Sequence, residues 1–222
     1  ITLALIFKVA GGAYLVGLAL NAYLAKGADP FPGDLRASLW LQSWGSSWLD
    51  NVMIAISASG FRPQAQLLTA LTSAVLYVRG YRIESGLLLA GMLASSLGVT
   101  VIKHLVSRPR PTNDLVQVFR EPGGYSFPSG HVMYATVFLA ILAFTVTRRM
   151  RPSLVRGMIL AILAIALAAV GASRVYLGAH WTSDALAGYA FGAVLVAIVI
   201  GVSRRWLDRS DASDATRIES AP

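Results

Sequence analysis

The sequence predicts an all-α integral membrane protein, a bundle of six transmembrane helices with an interfacial helix between spans 1 and 2. Three observations carry this. Of 222 residues, 55% are hydrophobic and only 14% charged, where a soluble domain carries about 25% charge, and the mean hydropathy is +0.61. Apolar runs near the roughly 20 residues that a helix needs to cross hydrocarbon recur along the chain. The basic residues lie in the short connections between those runs rather than along one soluble stripe, which argues against nucleic acid as the reason for a formal charge of +8.

The runs are taken in order. The first spans Thr2 to Leu24 and is interrupted by Lys8; the second spans Pro63 to Val78, the third Ile83 to Val106, and the fourth Val132 to Val146. Leu154 to Ala172 and Ala185 to Val202 complete the set. Between the first two, Leu35 to Ser59 sets Trp40, Trp44 and Trp48 four residues apart, hence on one helical face. Tryptophan favours the headgroup region, so this segment reads as a helix lying in the interface; the alternative is that Leu49 to Ser59 dips into the bilayer. Residues 1–207 then form the membrane domain, and Asp208 to Pro222, rich in Asp, Ser, Ala and Thr, reads as a flexible polar tail. The chain opens on Ile1 rather than methionine, which suggests a trimmed or processed N-terminus.

Six crossings place both termini on one side. The connections holding Arg79 and Arg82, then Arg148, Arg149, Arg151 and Arg156, then Arg204, Arg205 and Arg209 share that side, and the positive-inside rule makes it cytoplasmic. The chain is therefore expected in a cell membrane, the bacterial inner membrane, with the opposite loops facing outward. With no cysteine, disulfides, thiolate nucleophiles and Cys-based metal sites are excluded, so chemistry must rest on His, Asp, Ser, Lys and Arg.

All three histidines, His104, His131 and His180, fall at the outward ends of the expected spans. Near them lie Lys103, Arg108 and Arg110, then Ser129 and Gly130, then Arg174 and Asp184. Guanidinium groups match phosphate oxygens bidentately, so a cluster of cations with few carboxylates points to a phosphate guest.

Three stretches carry more than composition: KHLVSRPRP (Lys103 to Pro111), PSGH (Pro128 to His131) and SRVYLGAHWTSD (Ser173 to Asp184). Their order, spacing and position at the ends of successive spans resemble the type 2 phosphatidic acid phosphatase family, membrane lipid phosphatases with an active site like that of the vanadium haloperoxidases. The resemblance implies His180 as nucleophile, attacking phosphorus to give a phosphohistidine. It implies Asp184 as the carboxylate that holds one imidazole nitrogen as N–H; four residues apart in a helix, the two share a face. It implies His131 as the acid that protonates the leaving oxygen and then activates water. Lys103, Arg110 and Arg174, with Ser129 and the Gly130 N–H, would bind the phosphate, helped by the N-terminus of the fourth span. No cofactor and no metal is implied, and no cluster of Asp and Glu near the motifs offers a Mg²⁺ site.

Other residues read more plainly. Arg108, Arg120 and Lys26 are expected to snorkel to the headgroups. His104 reads as structural or interfacial, and Tyr125, Tyr176 and Trp181 as interfacial anchors. Pro109 and Pro111 end the third helix and stiffen the turn that delivers Arg110, while Gly188 and Gly192, spaced as GxxxG, allow close helix packing. The expected partners are the bilayer and a lipid phosphate whose headgroup faces outward: undecaprenyl diphosphate, phosphatidylglycerol phosphate or phosphatidic acid by resemblance. The sequence specifies no oligomeric state. Phosphoryl transfer to a second lipid through the same phosphohistidine is the rival chemistry. A lipid-phosphate transporter or binding protein is the rival class, although the spans lack the midplane polar residues that a transporter uses.

Overall fold

A computed structural model describes residues 19, 21–26, 29–120 and 123–219, with side-chain environments given through residue 203. All regular structure among the described residues is helical. In chain order the helices are α1 (Pro32–Gln42), α2 (Ser47–Ala58), α3 (Arg62–Val78), α4 (Arg82–Val106), α5 (Gly130–Arg149), α6 (Leu154–Tyr176) and α7 (Thr182–Glu219).

Four of these, α4, α5, α6 and the Thr182–Ser203 part of α7, are long and apolar enough to cross a membrane. They match the third to sixth expected spans, each lengthened at one or both ends; α6 gains a further turn because Ser173, Arg174 and Tyr176 are buried in the bundle and remain helical. Helix α3 matches the second expected span but, at 17 residues, reaches only about 25 Å at 1.5 Å per residue. The expected first span lies mostly outside the described residues. The helical backbone of α7 continues to Glu219, into the stretch that composition marks as a flexible tail.

The expected single interfacial helix is two helices. Ser43 to Ser46 break it: Ser43 and Gly45 turn back onto Leu39 and Gln42 carbonyls, and Ser46 caps α2 by accepting from the Leu49 N–H at 3.3 Å. Trp40 stands on α1, Trp44 in the break and Trp48 on α2, all exposed. Helices α1 and α2 pack against α6, and α1 also against α7.

Helix α5 is the hub, packed on α4, α6 and α7. Val132, Val137 and Ile141 along it are fully buried. Close approach of α7 rests on the two glycines noted above: a Cβ on Gly188 would meet the Ser129 carbonyl oxygen at 2.9 Å, and one on Gly192 would meet Thr136 Cβ at 2.7 Å. Outward faces are apolar. Leu89, Leu93, Leu97, Val101 and Leu105 form an exposed stripe at i, i+4 spacing on α4, a face suited to hydrocarbon rather than water. At the end of α4 away from Lys103, buried Glu84 receives Arg149 through two bonds of 2.8 and 2.9 Å, and the Arg149 guanidinium lies 4.5 Å from the Tyr81 ring centroid.

Candidate active site

The helix ends opposite Glu84 bring the three motifs together. Helix α4 stops at Val106 because Ser107 adopts the left-handed conformation, φ 54°, and Pro109 and Pro111 follow. Lys103, in the last turn of α4, donates to the Tyr125 and Ser126 carbonyls, the latter at 3.1 Å. Arg110 donates to the carbonyls of Gly124 (2.9 Å), Ala179 (2.7 Å) and Gly123 (3.3 Å). Arg174, buried in the last turn of α6, donates to the Ser57 hydroxyl on α2. No carboxylate pairs with Lys103, Arg110 or Arg174 among the described residues. Their hydrogen bonds go to neutral acceptors, which leaves their charge available to an anion.

His180 sits in the middle, 2% exposed. It lies in the turn before α7 and not on the helix with Asp184, contrary to the sequence expectation. The reason is local: Gly178 turns the chain at φ 64°, and Asp184 caps α7 by accepting from the Trp181 N–H at 2.9 Å, so the helix begins only at Thr182. The His180 Nδ1 to Asp184 Oδ2 distance is 3.8 Å, too long for a hydrogen bond. Ser126 fills the gap. Its hydroxyl donates to Asp184 Oδ2 at 2.5 Å and its oxygen lies 3.4 Å from His180 Nδ1. With that proton committed to Asp184, Ser126 can only accept from Nδ1–H. This partnering fixes the tautomer and leaves Nε2 unprotonated, its lone pair accepting from Arg110 Nη1 at 3.2 Å. Burial, and then the positive charges of Arg110, Lys103, Arg174 and His131, hold the His180 pKa well below the ordinary imidazole value, so the ring is neutral at neutral pH.

His131 stands in the first turn of α5, its ring edge-on to Phe61 at 5.0 Å and its Nε2 buried without a hydrogen-bond partner. Gly60 makes room for it: a Cβ there would lie 2.3 Å from His131 Cδ2. Ser129 occupies the cap position of α5, but its hydroxyl makes no capping bond and is also buried and unpartnered. Its N–H instead bonds the Asp184 carbonyl at 3.0 Å. Gly130 opens α5 and, with Lys103 and His131, lines one end of a groove of about 600 Å³ between α3, α4 and α5. Thus Lys103, Arg110, Ser129, Gly130, His131, Arg174, His180 and Asp184 all converge. Unpartnered atoms on Ser129, His131 and Arg174 suit a guest with several acceptor oxygens and a transferable proton.

Several neighbours depart from the sequence reading. Arg108 does not snorkel: it is fully buried, bonding Asp184 Oδ1 at 2.6 Å, Asp34 Oδ2 at 2.8 Å and the Ser183 hydroxyl at 2.7 Å. Two buried carboxylates draw the guanidinium inward. Arg120 is exposed and lies over the Phe61 ring at 5.0 Å, lining a smaller cavity with Arg174. Tyr176 and Trp181 are buried rather than interfacial; the Tyr176 hydroxyl donates to Asp50 at 2.5 Å. His104 is exposed and edge-on to Tyr125, and Lys26 is exposed. Sequence reasoning missed Asp34, Ser126 and Ser183 altogether. Ser183 lies inside the third motif and Ser126 two residues before Pro128, so a motif stood near both; none stood near Asp34.

A helical bundle with apolar outward stripes and a buried imidazole among unpaired cations at one end combines a membrane-embedded architecture with a candidate phosphate site. Residues 85–208 match the PAP2 superfamily, and the chain belongs to that superfamily. It is 29% identical over 160 residues to phosphatidylglycerophosphatase B of Bacillus subtilis (strain 168), covering 71% of this chain and 77% of that protein. It is 30% identical over 148 residues to the undecaprenyl-diphosphatase of Sulfolobus acidocaldarius, covering 65% and 66%. In fold it resembles the crystal structure of a transmembrane PAP2-type phosphatidylglycerolphosphate phosphatase from Bacillus subtilis, with TM-score 0.75 and 24% identity over 87% of this chain and 95% of that one. Aquifex aeolicus LpxE is similar too, with TM-score 0.63 and 22% identity over 77% and 96%.

Proposed function

We propose that this enzyme hydrolyses a lipid phosphomonoester or diphosphate through a phosphohistidine on His180. The observation that carries the reading is the His180 ring itself: Nδ1 is held through Ser126 to Asp184 and Nε2 faces Arg110 at 3.2 Å. In the first step the Nε2 lone pair forms a bond to phosphorus as the bond from phosphorus to the lipid oxygen breaks. Protonated His131 gives its proton to that oxygen, releasing a lipid alcohol from a monoester or a lipid monophosphate from a diphosphate. Lys103, Arg110, Arg174 and the start of α5 stabilise the charge spread over the remaining oxygens. In the second step neutral His131 takes a proton from water, whose oxygen attacks phosphorus. The N–P bond breaks, and inorganic phosphate and neutral His180 are restored.

The groove beside Lys103, Gly130 and His131 runs along Ala65, Thr69, Leu89 and Leu93, which supports a lipid entering from the bilayer on the side of the leaving group. The names of the relatives favour phosphatidylglycerol phosphate and undecaprenyl diphosphate as substrates, with phosphatidic acid as the third candidate. The arginines around Arg79, Arg148 and Arg204 favour a cytoplasmic placement for the Glu84 end, an outward site and six crossings with both termini inside. The side chains alone supply the cations, so turnover is independent of added metal. The test is phosphate release from these three lipids in detergent, with and without EDTA, using His180→Ala as control. Turnover is expected to survive EDTA and to vanish in His180→Ala; loss with EDTA and recovery with Mg²⁺ refutes the metal-free mechanism, and residual native turnover in His180→Ala refutes the nucleophile.

A further inference from the structure

We infer that Asp34 and Arg108 are positioning residues for catalysis, a pair that sets how much of the Asp184 charge reaches His180 and so makes the surface helix α1 part of the catalytic apparatus. The inference rests on the phosphohistidine reading above. Asp34 lies in the first turn of α1, outside the 85–208 stretch that matches the family, yet it is as buried as the residues of the site.

Arg108 is shared between two carboxylates, Asp184 at 2.6 Å and Asp34 at 2.8 Å. Ser183 locks the arrangement: its N–H bonds Asp34 Oδ1 at 2.7 Å, its hydroxyl donates to Asp34 Oδ2 at 2.7 Å, and it accepts from Arg108. The Phe31 ring covers the guanidinium at 4.8 Å, and Asp34 Oδ2 also accepts from the Phe31 N–H at 3.1 Å. Two carboxylates and one guanidinium leave one net negative charge. When His180 Nε2 bonds to phosphorus the imidazole becomes cationic, and that negative charge, felt through Ser126, stabilises it. With Asp34 neutral, Arg108 is committed to Asp184 alone and cancels it. Arg108 touches neither nucleophile nor phosphate site, so both residues act through Asp184.

The full chain in detergent, assayed on dioctanoyl phosphatidic acid, tests this. Asp34→Asn is expected to lower kcat about 10- to 100-fold, the usual cost of losing an outer partner that orients a reactive group, with KM changed less than about twofold. Orthovanadate, a phosphate mimic, is expected to bind Asp34→Asn with native affinity, and Asp34→Glu to recover most of kcat. The double variant Asp34→Asn/Arg108→Gln, which frees the Asp184 charge again, is expected to exceed Asp34→Asn in kcat. Native kcat in Asp34→Asn overturns the inference. So does loss of vanadate binding or of the folded protein in parallel with kcat, or a double variant no faster than the single one, since each marks a purely structural tether. Retained turnover in His180→Ala sinks the underlying reading instead, and the two failures are thereby separated.

Discussion

Ser126→Ala removes the hydroxyl that links Asp184 to His180, the proposed nucleophile. The hydroxyl is fully buried, 2.5 Å from Asp184 Oδ2 and 3.4 Å from His180 Nδ1. A hydrogen bond to a charged acceptor contributes about 1.5–3 kcal/mol. If that stabilisation is felt only as His180 becomes cationic, its loss slows kcat by about 10- to 160-fold at 1.36 kcal/mol per factor of ten. The lower end applies if Asp184 closes the 3.8 Å gap and bonds His180 directly. KM is expected to stay within about twofold because Ser126 does not belong to the phosphate-binding set. Steady-state phosphate release gives kcat and KM, and acid-labile phosphoenzyme trapped in the first turnover reports the step itself. A native kcat in Ser126→Ala, or a change confined to KM, refutes the relay.

Gly60→Ala places a Cβ 2.3 Å from His131 Cδ2 and must displace that ring. Its effect on kcat is expected to be large for alkyl phosphates and small for p-nitrophenyl phosphate, whose leaving group needs no proton; equal losses on both refute His131 as the acid. Glu84→Gln, at the far end of the bundle, weakens the two bonds to Arg149. It is expected to cost about 1–3 kcal/mol, read as a lower Tm in detergent, with unchanged kcat at low temperature. Neutral His180 makes stability depend on pH. Its folded pKa is depressed below the unfolded value of about 6.5, so its contribution is present above that pH and is lost as pH falls toward the folded pKa. His180→Gln is accordingly expected to flatten the fall of Tm below about pH 6.5, by comparison with the native chain across a pH series.

The bundle was legible because its signals are local. Hydrophobic length marked α4, α5, α6 and the start of α7 to within a few residues, and the three motifs named the side chains that converge around His180 apart from Ser126. What escaped is what depends on contacts far along the chain. Nothing near Arg108 says that it meets Asp34, 74 residues away, rather than a headgroup; a basic residue beside a span reads the same either way until its partner is known. The break at Ser43 to Ser46 escaped because the tryptophan spacing runs through it without interruption. The place of His180 was misjudged for a subtler reason. Spacing of four residues implies a shared face only if the helix has already begun, and the Asp184 bond to the Trp181 N–H goes with a start at Thr182, two residues too late for His180 to belong.

The distribution of carboxylates sets this end of the bundle, the candidate anion site, apart from the other. At the far end Glu84 lies against Arg148 at 3.6 Å and Arg149 at 2.8 Å, so a buried carboxylate meets the cations there directly. At the site the buried carboxylates are Asp34 and Asp184, and both are committed to Arg108. The Asp184 oxygens also receive Ser126 and Trp181, and those of Asp34 receive Ser183 and Phe31. Lys103, Arg110 and Arg174 bond carbonyls, the Ser57 hydroxyl and His180 Nε2, and none of them pairs with a carboxylate among the described residues. Neutral oxygens satisfy the geometry of a cation without cancelling its charge, and in a buried site that charge is weakly screened. On the proposed reading, Arg108 engages both buried carboxylates, and Lys103, Arg110 and Arg174 keep their charge for a phosphate.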